Sequence, residues 1–264
     1  MSEPHPFDRL RLLCARLRAP DGCPWDREQS LASLRTYIVE EAYEVVDAIT
    51  AEDARALAEE LGDLLFQIVF VAQLAEEQGW FDVLQVCQLV HAKMVARHPH
   101  VFGDLKVENA AQVVQNWERL KRREAKGGAL SGVPESLPAL LKTLRITEKA
   151  AALGFDWERP QDVLAKVREE VSELERVVGR AQREHDAALI REELGDVLFS
   201  IANVARHLGV DPEAALQAAN QKFLQRFSTM ERLAAARGIA WDTCSPEDWE
   251  ALWQEAKTLV DRKV

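Results

Sequence analysis

No stretch of this sequence reaches the roughly 18 consecutive apolar residues that a membrane-spanning helix needs. The most apolar run, Leu64 to Ala75, is broken by Gln67 and Gln73 and predicts a helix buried on several sides. Cysteine is scarce: Cys14, Cys23, Cys87 and Cys244 are scattered without metal-type or disulfide-type spacing, which points to a reducing, cytoplasmic setting. Positive charge is in deficit, 33 Lys and Arg against 44 Asp and Glu, for a formal charge of -11. That balance excludes a broad grip on nucleic-acid phosphates, although a local basic patch can still hold one small anion. A Gly-x-x-x-x-Gly-Lys loop is missing, which argues against a phosphate-loop enzyme releasing orthophosphate. The amino terminus, with Glu3, Pro4, His5 and Asp8, does not read as a basic and then apolar signal.

Strand-like alternation is nearly absent as well, and what remains is long helical periodicity rich in Ala, Leu, Glu and Arg. The predicted fold class is all-α. The clearest break is Lys126 to Pro138, KGGALSGVPESLP, where glycine, serine and proline cluster as in a linker. It separates an amino-terminal domain, 1–125, from a carboxy-terminal domain, 139–264.

The two sides repeat each other. EEAYE (Glu40 to Glu44) and EELGD (Glu59 to Asp63) on the first side match EEVSE (Glu169 to Glu173) and EELGD (Glu192 to Asp196) on the second. Lys93 and Arg97 match Lys222 and Arg226, and Trp117 with Lys121 matches Trp253 with Lys257. Four blocks in the same order, at offsets of 129 to 136 residues, indicate two copies of one helical-bundle domain.

At about 100° per residue, Val167, Val171, Leu174 and Val178 form an apolar stripe, with Glu170 about 60° from its centre and Glu173 and Glu169 farther round. Ile38, Ala42, Val45 and Ile49 make the same stripe in the first copy, flanked by Glu41, Glu44 and Glu40. Like charges one turn apart cost a helix about 0.2–0.5 kcal/mol per pair, and partial burial adds desolvation. Glu193 and Asp196 form another such pair around Gly195, and Glu60 and Asp63 do so around Gly62. A mid-helix glycine costs about 1 kcal/mol against alanine, so a close approach by another helix or a ligand is expected at both. A hard divalent cation such as Mg²⁺ resolves the repulsion, because it prefers carboxylate oxygens and keeps water and phosphate as its other ligands. One isolated EExxE would be a solvated acidic face. The ExxD partner, the glycine and the duplication together favour a metal site. A di-iron bundle would need Glu-x-x-His, and Glu44, Glu60, Glu173 and Glu193 are followed at that spacing by Asp47, Asp63, Arg176 and Asp196. His98 and His100, in an HPH sequence after a helix, read as loop residues.

Lys222 and Arg226, four residues apart, share a helix face and would be surface charge if they stood alone. Beside metal-binding acids they suit a polyphosphate, lysine as a point charge and arginine as a fork. Trp253 and Lys257 on a later helix would add a stacking plane and another charge, Trp253 being equally suited to anchoring a core. The copies differ at Lys166, which corresponds to Tyr37, and at Asn220, which corresponds to His91. The second copy thus has one more phosphate-seeking charge and one more amide for a polar substrate edge, which favours it as the main active site.

These residues resemble the MazG family of nucleoside triphosphate pyrophosphohydrolases, in its two-domain form, over nearly the whole chain. The family pattern is EExxE followed by ExxD, here Glu169-Glu170-x-x-Glu173 with Glu193-x-x-Asp196, and again Glu40-Glu41-x-x-Glu44 with Glu60-x-x-Asp63. The resemblance implies an all-α fold in which two subunits complete each site, Mg²⁺ dependence, and cleavage between the α- and β-phosphates. It implies that the carboxy-terminal copy is the active one. By motif position, Glu170, Glu173, Glu193 and Asp196 would ligate metal, with Glu41, Glu44, Glu60 and Asp63 as a secondary or vestigial set. Lys166, Glu169, Lys222, Arg226 and Trp253 would contact nucleotide. The gap between the acid pairs is four residues longer in the second copy, a departure from the family pattern that falls on the intervening loop and not on the acids.

In this reading Glu169 or a neighbouring ligand orients or deprotonates the attacking water, and Lys222 and Arg226 stabilise charge on departing pyrophosphate. The expected role is clearance of surplus or aberrant NTPs and dNTPs. A narrower pyrimidine-deoxynucleotide hydrolase is the rival enzyme reading, and an acidic helical adaptor that binds a protein partner is the rival without catalysis. The helix around Leu64 to Ala75 and its counterpart Val197 to Ala205 are too apolar to be covered by one neighbour, so a homodimer or larger homo-oligomer is expected.

Overall fold

The structure is a computed structural model that describes residues 4–124, 127–128, 130–179, 186–241 and 244–261. Among the described residues it holds twelve α-helices and no strand. No described helix is long and apolar enough to cross a membrane.

The chain divides into two compact units, Met1–Gln112 and Val113–Val264. The division falls ahead of the segment 126–138 that composition marks. Glycine and proline show where a chain leaves regular structure, whereas packing divides it where it leaves one folded body. The first unit contains α1 (Pro6–Arg18), α2 (Pro24–Glu28), α3 (Leu34–Thr50), α4 (Ala54–Glu77), α5 (Val83–Arg97) and α6 (Pro99–Phe102). Helix α7 (Ala110–Glu124) spans the division. The second unit contains α8 (Ala139–Ala151), α9 (Pro160–Val178), α10 (Asp186–His207), α11 (Pro212–Ala236) and α12 (Pro246–Asp261).

Local chemistry fixes the ends of these helices. Asp53 caps α4 by accepting from the Arg55 and Ala56 amides, and Asp211 caps α11 by accepting from those of Glu213 and Ala214. Asp82 and Gln85 form a reciprocal capping box at the start of α5. Helices α4 and α10 close alike: Gly79 and Gly209 adopt φ of 71° and 68°, and the next amide bonds back to the Ala75 or Ala205 carbonyl.

In the first unit α3 and α1 pack on α4, around a core of Cys14, Leu34, Val69, Phe70, Ala72, Leu74 and Val83. Helix α4 therefore buries its Leu64–Ala75 stretch mainly through the carboxy-terminal half. Arg18 ties three elements together, donating to both carboxylate oxygens of Glu77 on α4 and to the carbonyls of Asp26, Arg27 and Gln29. In the second unit α9 and α8 pack on α10, while α11 pairs with α12 around Met230, Ala234, Leu252 and Ala256. Residues 214–225 of α11 are exposed without exception.

Candidate metal centre

Helices α9 and α10 carry the second carboxylate set, and their meeting face is not the one the apolar stripe suggests. The side of α9 turned toward its unit includes Val163 and Glu170, both buried, with Lys166, Val167, Glu173, Leu174 and Val177 half-buried. Val171 and Val178, expected inside, are 38% and 56% exposed. Glu170, expected on the flank, is 6% exposed. In the first copy Ala42 and Ile49 are likewise exposed and Glu41 half-buried. The pairing with α10 uses the acid-bearing face, which leaves the rest of the stripe exposed among the described residues.

Carboxylate oxygens of Glu170, Glu173 and Glu193 all lie within 4.8 Å of one another, and so do those of Glu41, Glu44 and Glu60. Two helices thus bring three acids to a common centre in each copy. Asp196 and Asp63, expected as fourth ligands, stand outside these groups on exposed flanks of α10 and α4. Their charges still act on the sites. Burial, together with Glu173, Glu170, Asp196 and Glu192, pushes the Glu193 carboxyl above its ordinary value. Burial and the neighbouring acids do the same to Glu60, and to Glu41 despite a 3.5 Å hydrogen bond from the Gln67 amide. These are acids held together against their charge.

The copies differ in what offsets that charge. Lys166 Nζ lies 2.8 Å from Glu170 Oε1 and 3.0 Å from Glu169 Oε1, and these bonds raise the lysine's pKa. Arg176 Nη2 donates to Glu173 Oε1 at 2.8 Å. Arg176 was not among the expected site residues, although its three-residue spacing from Glu173 gives the pair away. In the first copy the positions of Lys166 and Arg176 are Tyr37 and Asp47.

Among the described residues Gly62 and Gly195 mark no close approach, because a Cβ on either would meet nothing within 4 Å. That open side lies along faces that are themselves bare. Leu61, Leu65 and Ile68 on α4 are 40–49% exposed, and Leu194, Leu198 and Ile201 on α10 are 46–49% exposed.

The expected basic partners form a separate group on α11 and α12. Asn220 and Lys222 are exposed. Arg226 donates through Nη2 to both oxygens of Asp261, at 2.8 Å each, while its buried Nε has no partner among the described residues. Lys257 is half-buried. Trp253 packs against the α11–α12 core and against Phe223, with ring centroids 5.3 Å apart, so it anchors this helix pair. Phe227, Trp241 and Trp249 continue the aromatic row. Among the described residues no hydrogen bond or ion pair joins the side chains of Asn220, Lys222, Arg226 or Lys257 to the α9–α10 acids. Asp261 has no sequence signal as a partner of Arg226, 35 residues away. In the first copy Lys93 is exposed and Lys121 lies outside the described side chains. His98 caps α5 and α6, and His100 belongs to α6 instead of a loop.

The donor sets fit a hard cation. All three ligands are carboxylates, no histidine or cysteine belongs to either cluster, and Glu170 is almost wholly withdrawn from water.

Comparisons with known proteins match both copies. The family model described as the MazG nucleotide pyrophosphohydrolase domain matches twice, at residues 29–102 and 158–230. The chain is 46% identical over 256 residues to the nucleoside triphosphate pyrophosphohydrolase of Escherichia coli (strain K12), covering 95% of this chain and 97% of that protein. It is 39% identical over 254 residues to the nucleoside triphosphate pyrophosphohydrolase/pyrophosphatase MazG of Thermotoga maritima, covering 95% of each. It is also 43% identical over 261 residues to YabN of Bacillus subtilis, covering 98% of this chain and 53% of that longer protein.

Proposed function

The chain belongs to the MazG nucleotide pyrophosphohydrolase family, and on that premise we propose that it hydrolyses nucleoside triphosphates, ribo and deoxy, to a monophosphate and pyrophosphate. The observation that carries this reading is the convergence of Glu170, Glu173 and Glu193 from two helices, with Lys166 beside them.

Glu170, Glu173 and Glu193 hold the divalent cation, Mg²⁺ in this proposal, with Asp196 adding negative charge at the rim. The ion supplies positive charge that neutralises the triphosphate and makes the α-phosphorus more electrophilic. Glu169, exposed beside Glu170 and tethered to Lys166, accepts the proton of the attacking water. The water oxygen bonds to the α-phosphorus, the bond to the bridging oxygen breaks, and pyrophosphate departs. Lys166 exchanges its carboxylate partners for phosphate oxygens. Lys222 and Arg226, with Lys257 near Trp253, meet charge on the departing pyrophosphate, and Asn220 reads the nucleoside. The α11 residues reach the acids of a second copy of the chain, so the working form is a homodimer. The bare apolar rows of α4 and α10 support that assembly. The second cluster carries turnover, and the first, Glu41, Glu44 and Glu60 with Asp63 at its rim, is secondary.

The test is a product assay with GTP and Mg²⁺ that resolves pyrophosphate from orthophosphate. Wild type releases pyrophosphate, Glu193→Gln loses roughly a hundredfold or more of the rate, and Glu60→Gln retains most of it. Orthophosphate as the product, or full activity in Glu193→Gln, overturns the reading.

A further inference from the structure

The two carboxylate clusters share their acids but not their counter-charges. In the second cluster Glu170 is held by Lys166 and Glu173 by Arg176, both on α9. In the first, the residue in place of Lys166 is Tyr37, which packs on the hydrophobic core, and the residue in place of Arg176 is Asp47, an exposed acid. Among the described residues no lysine or arginine forms an ion pair with Glu41, Glu44 or Glu60. Among the described residues the side-chain hydrogen bonds on them are that from the Gln67 amide to Glu41, at 3.5 Å, and one between Glu60 and Glu44. A divalent ion entering the first cluster therefore meets three uncompensated acids. One entering the second must displace an ammonium already seated on its most buried ligand.

We propose that Lys166, assisted by Arg176, makes metal binding at the second cluster conditional on a triphosphate, whereas the first cluster takes a divalent cation unaided. Lys166 is a positioning residue with two partners. Without nucleotide it occupies Glu170. When a triphosphate arrives, phosphate oxygens offer the ammonium a better partner and Glu170 is freed. Metal and triphosphate thereby bind the second cluster cooperatively, and bare metal does not accumulate there. The inference rests on the reading that these clusters hold divalent cations, and it adds an order of filling between them.

The experiment is titration of the nucleotide-free, full-length protein with Mn²⁺ alone, following free ion by electron paramagnetic resonance. Wild type shows two classes of site that differ roughly tenfold in affinity, as one nearby positive charge at a partly screened site requires. Glu60→Gln removes the tighter class and Glu193→Gln the weaker. Lys166→Met, a change at a partly exposed position, tightens the weaker class roughly tenfold. A non-hydrolysable α,β-methylene triphosphate tightens the weaker class in wild type but adds little in Lys166→Met. Loss of the tighter class in Glu193→Gln, or an unaltered weaker class in Lys166→Met, overturns the inference alone. Absence of Mn²⁺ binding in wild type overturns it together with the metal reading. The expected binding pattern in a protein that releases no pyrophosphate supports the inference and overturns only the proposed activity.

Discussion

Replacing Arg18 with methionine tests how the first unit is held. The stem of the side chain is kept, and six hydrogen bonds are lost. Three run to Glu77, at 3.0, 3.2 and 2.5 Å, and three to the carbonyls of Asp26, Arg27 and Gln29, at 2.6, 3.1 and 3.1 Å. Arg18 is 13% exposed, so the carbonyls it serves have little water to replace it. Glu77 is 35% exposed and rehydrates in part, which lowers the penalty on that side. A buried pair broken on one side costs about 3–5 kcal/mol, and the partial rehydration places this variant near the lower end, about 3 kcal/mol. For a unit of this size that is a fall of about 10 °C in Tm. The hydrogen bond from Arg18, ahead of the opposing effect of burial, holds the Glu77 carboxyl below its ordinary value. A depressed carboxyl contributes stability above its unfolded pKa, near 4.3, and loses it as pH falls toward the depressed value. Urea unfolding followed by circular dichroism is therefore expected to show the full gap at pH 7 and a narrower one at about pH 3. Arg18 bonds no residue of either cluster, so the folded variant keeps wild-type turnover. A loss below about 0.5 kcal/mol at pH 7, the range of ordinary surface changes, refutes the reasoning, as does a gap that does not narrow in acid.

The carboxyl of Glu60 is shifted the other way, upward, by burial first and then by Glu44, Asp63 and Glu59. Its protonated form favours the fold, so this contribution is present in acid and lost as pH rises from its unfolded value, near 4.3, through the raised one. Metal-free melts should show Glu60→Gln gaining on wild type across that rise, and a constant difference contradicts the assignment. Leu198, 49% exposed in the middle of the α10 row, is expected at the subunit contact. Leu198→Glu should convert a dimer to a helical monomer in light scattering, whereas a monomeric wild type or a dimeric variant removes the proposal.

The all-α fold was legible because helical periodicity and the Asp and Gly signals at helix ends are local. The pairing of Glu170 with Glu193 was legible because duplication repeated both motifs with the same internal spacing. The burial of Glu170 was not. A helix wheel ranks faces by hydrophobicity alone, and α9 presents its acids to α10 while leaving Val171 and Val178 bare. Gly62 and Gly195 misled for a related reason, since a glycine in a helix records a demand for space without saying what fills it, and among the described residues no atom does. The Lys166–Glu170 and Arg176–Glu173 pairs follow from spacing along one helix. The Arg226–Asp261 bond crosses from α11 to α12 and depends on tertiary packing that no spacing encodes.

The first half of α11 has no core of its own. From residue 214 to 225 every position faces solvent, including Leu216, Phe223 and Leu224, and this stretch carries Asn220 and Lys222. Under the proposed function this stretch grips substrate once a second copy covers it, and so acts as a component shared between chains. Specific activity should then fall on dilution toward nanomolar protein, with a lag after rapid concentration as subunits find each other again.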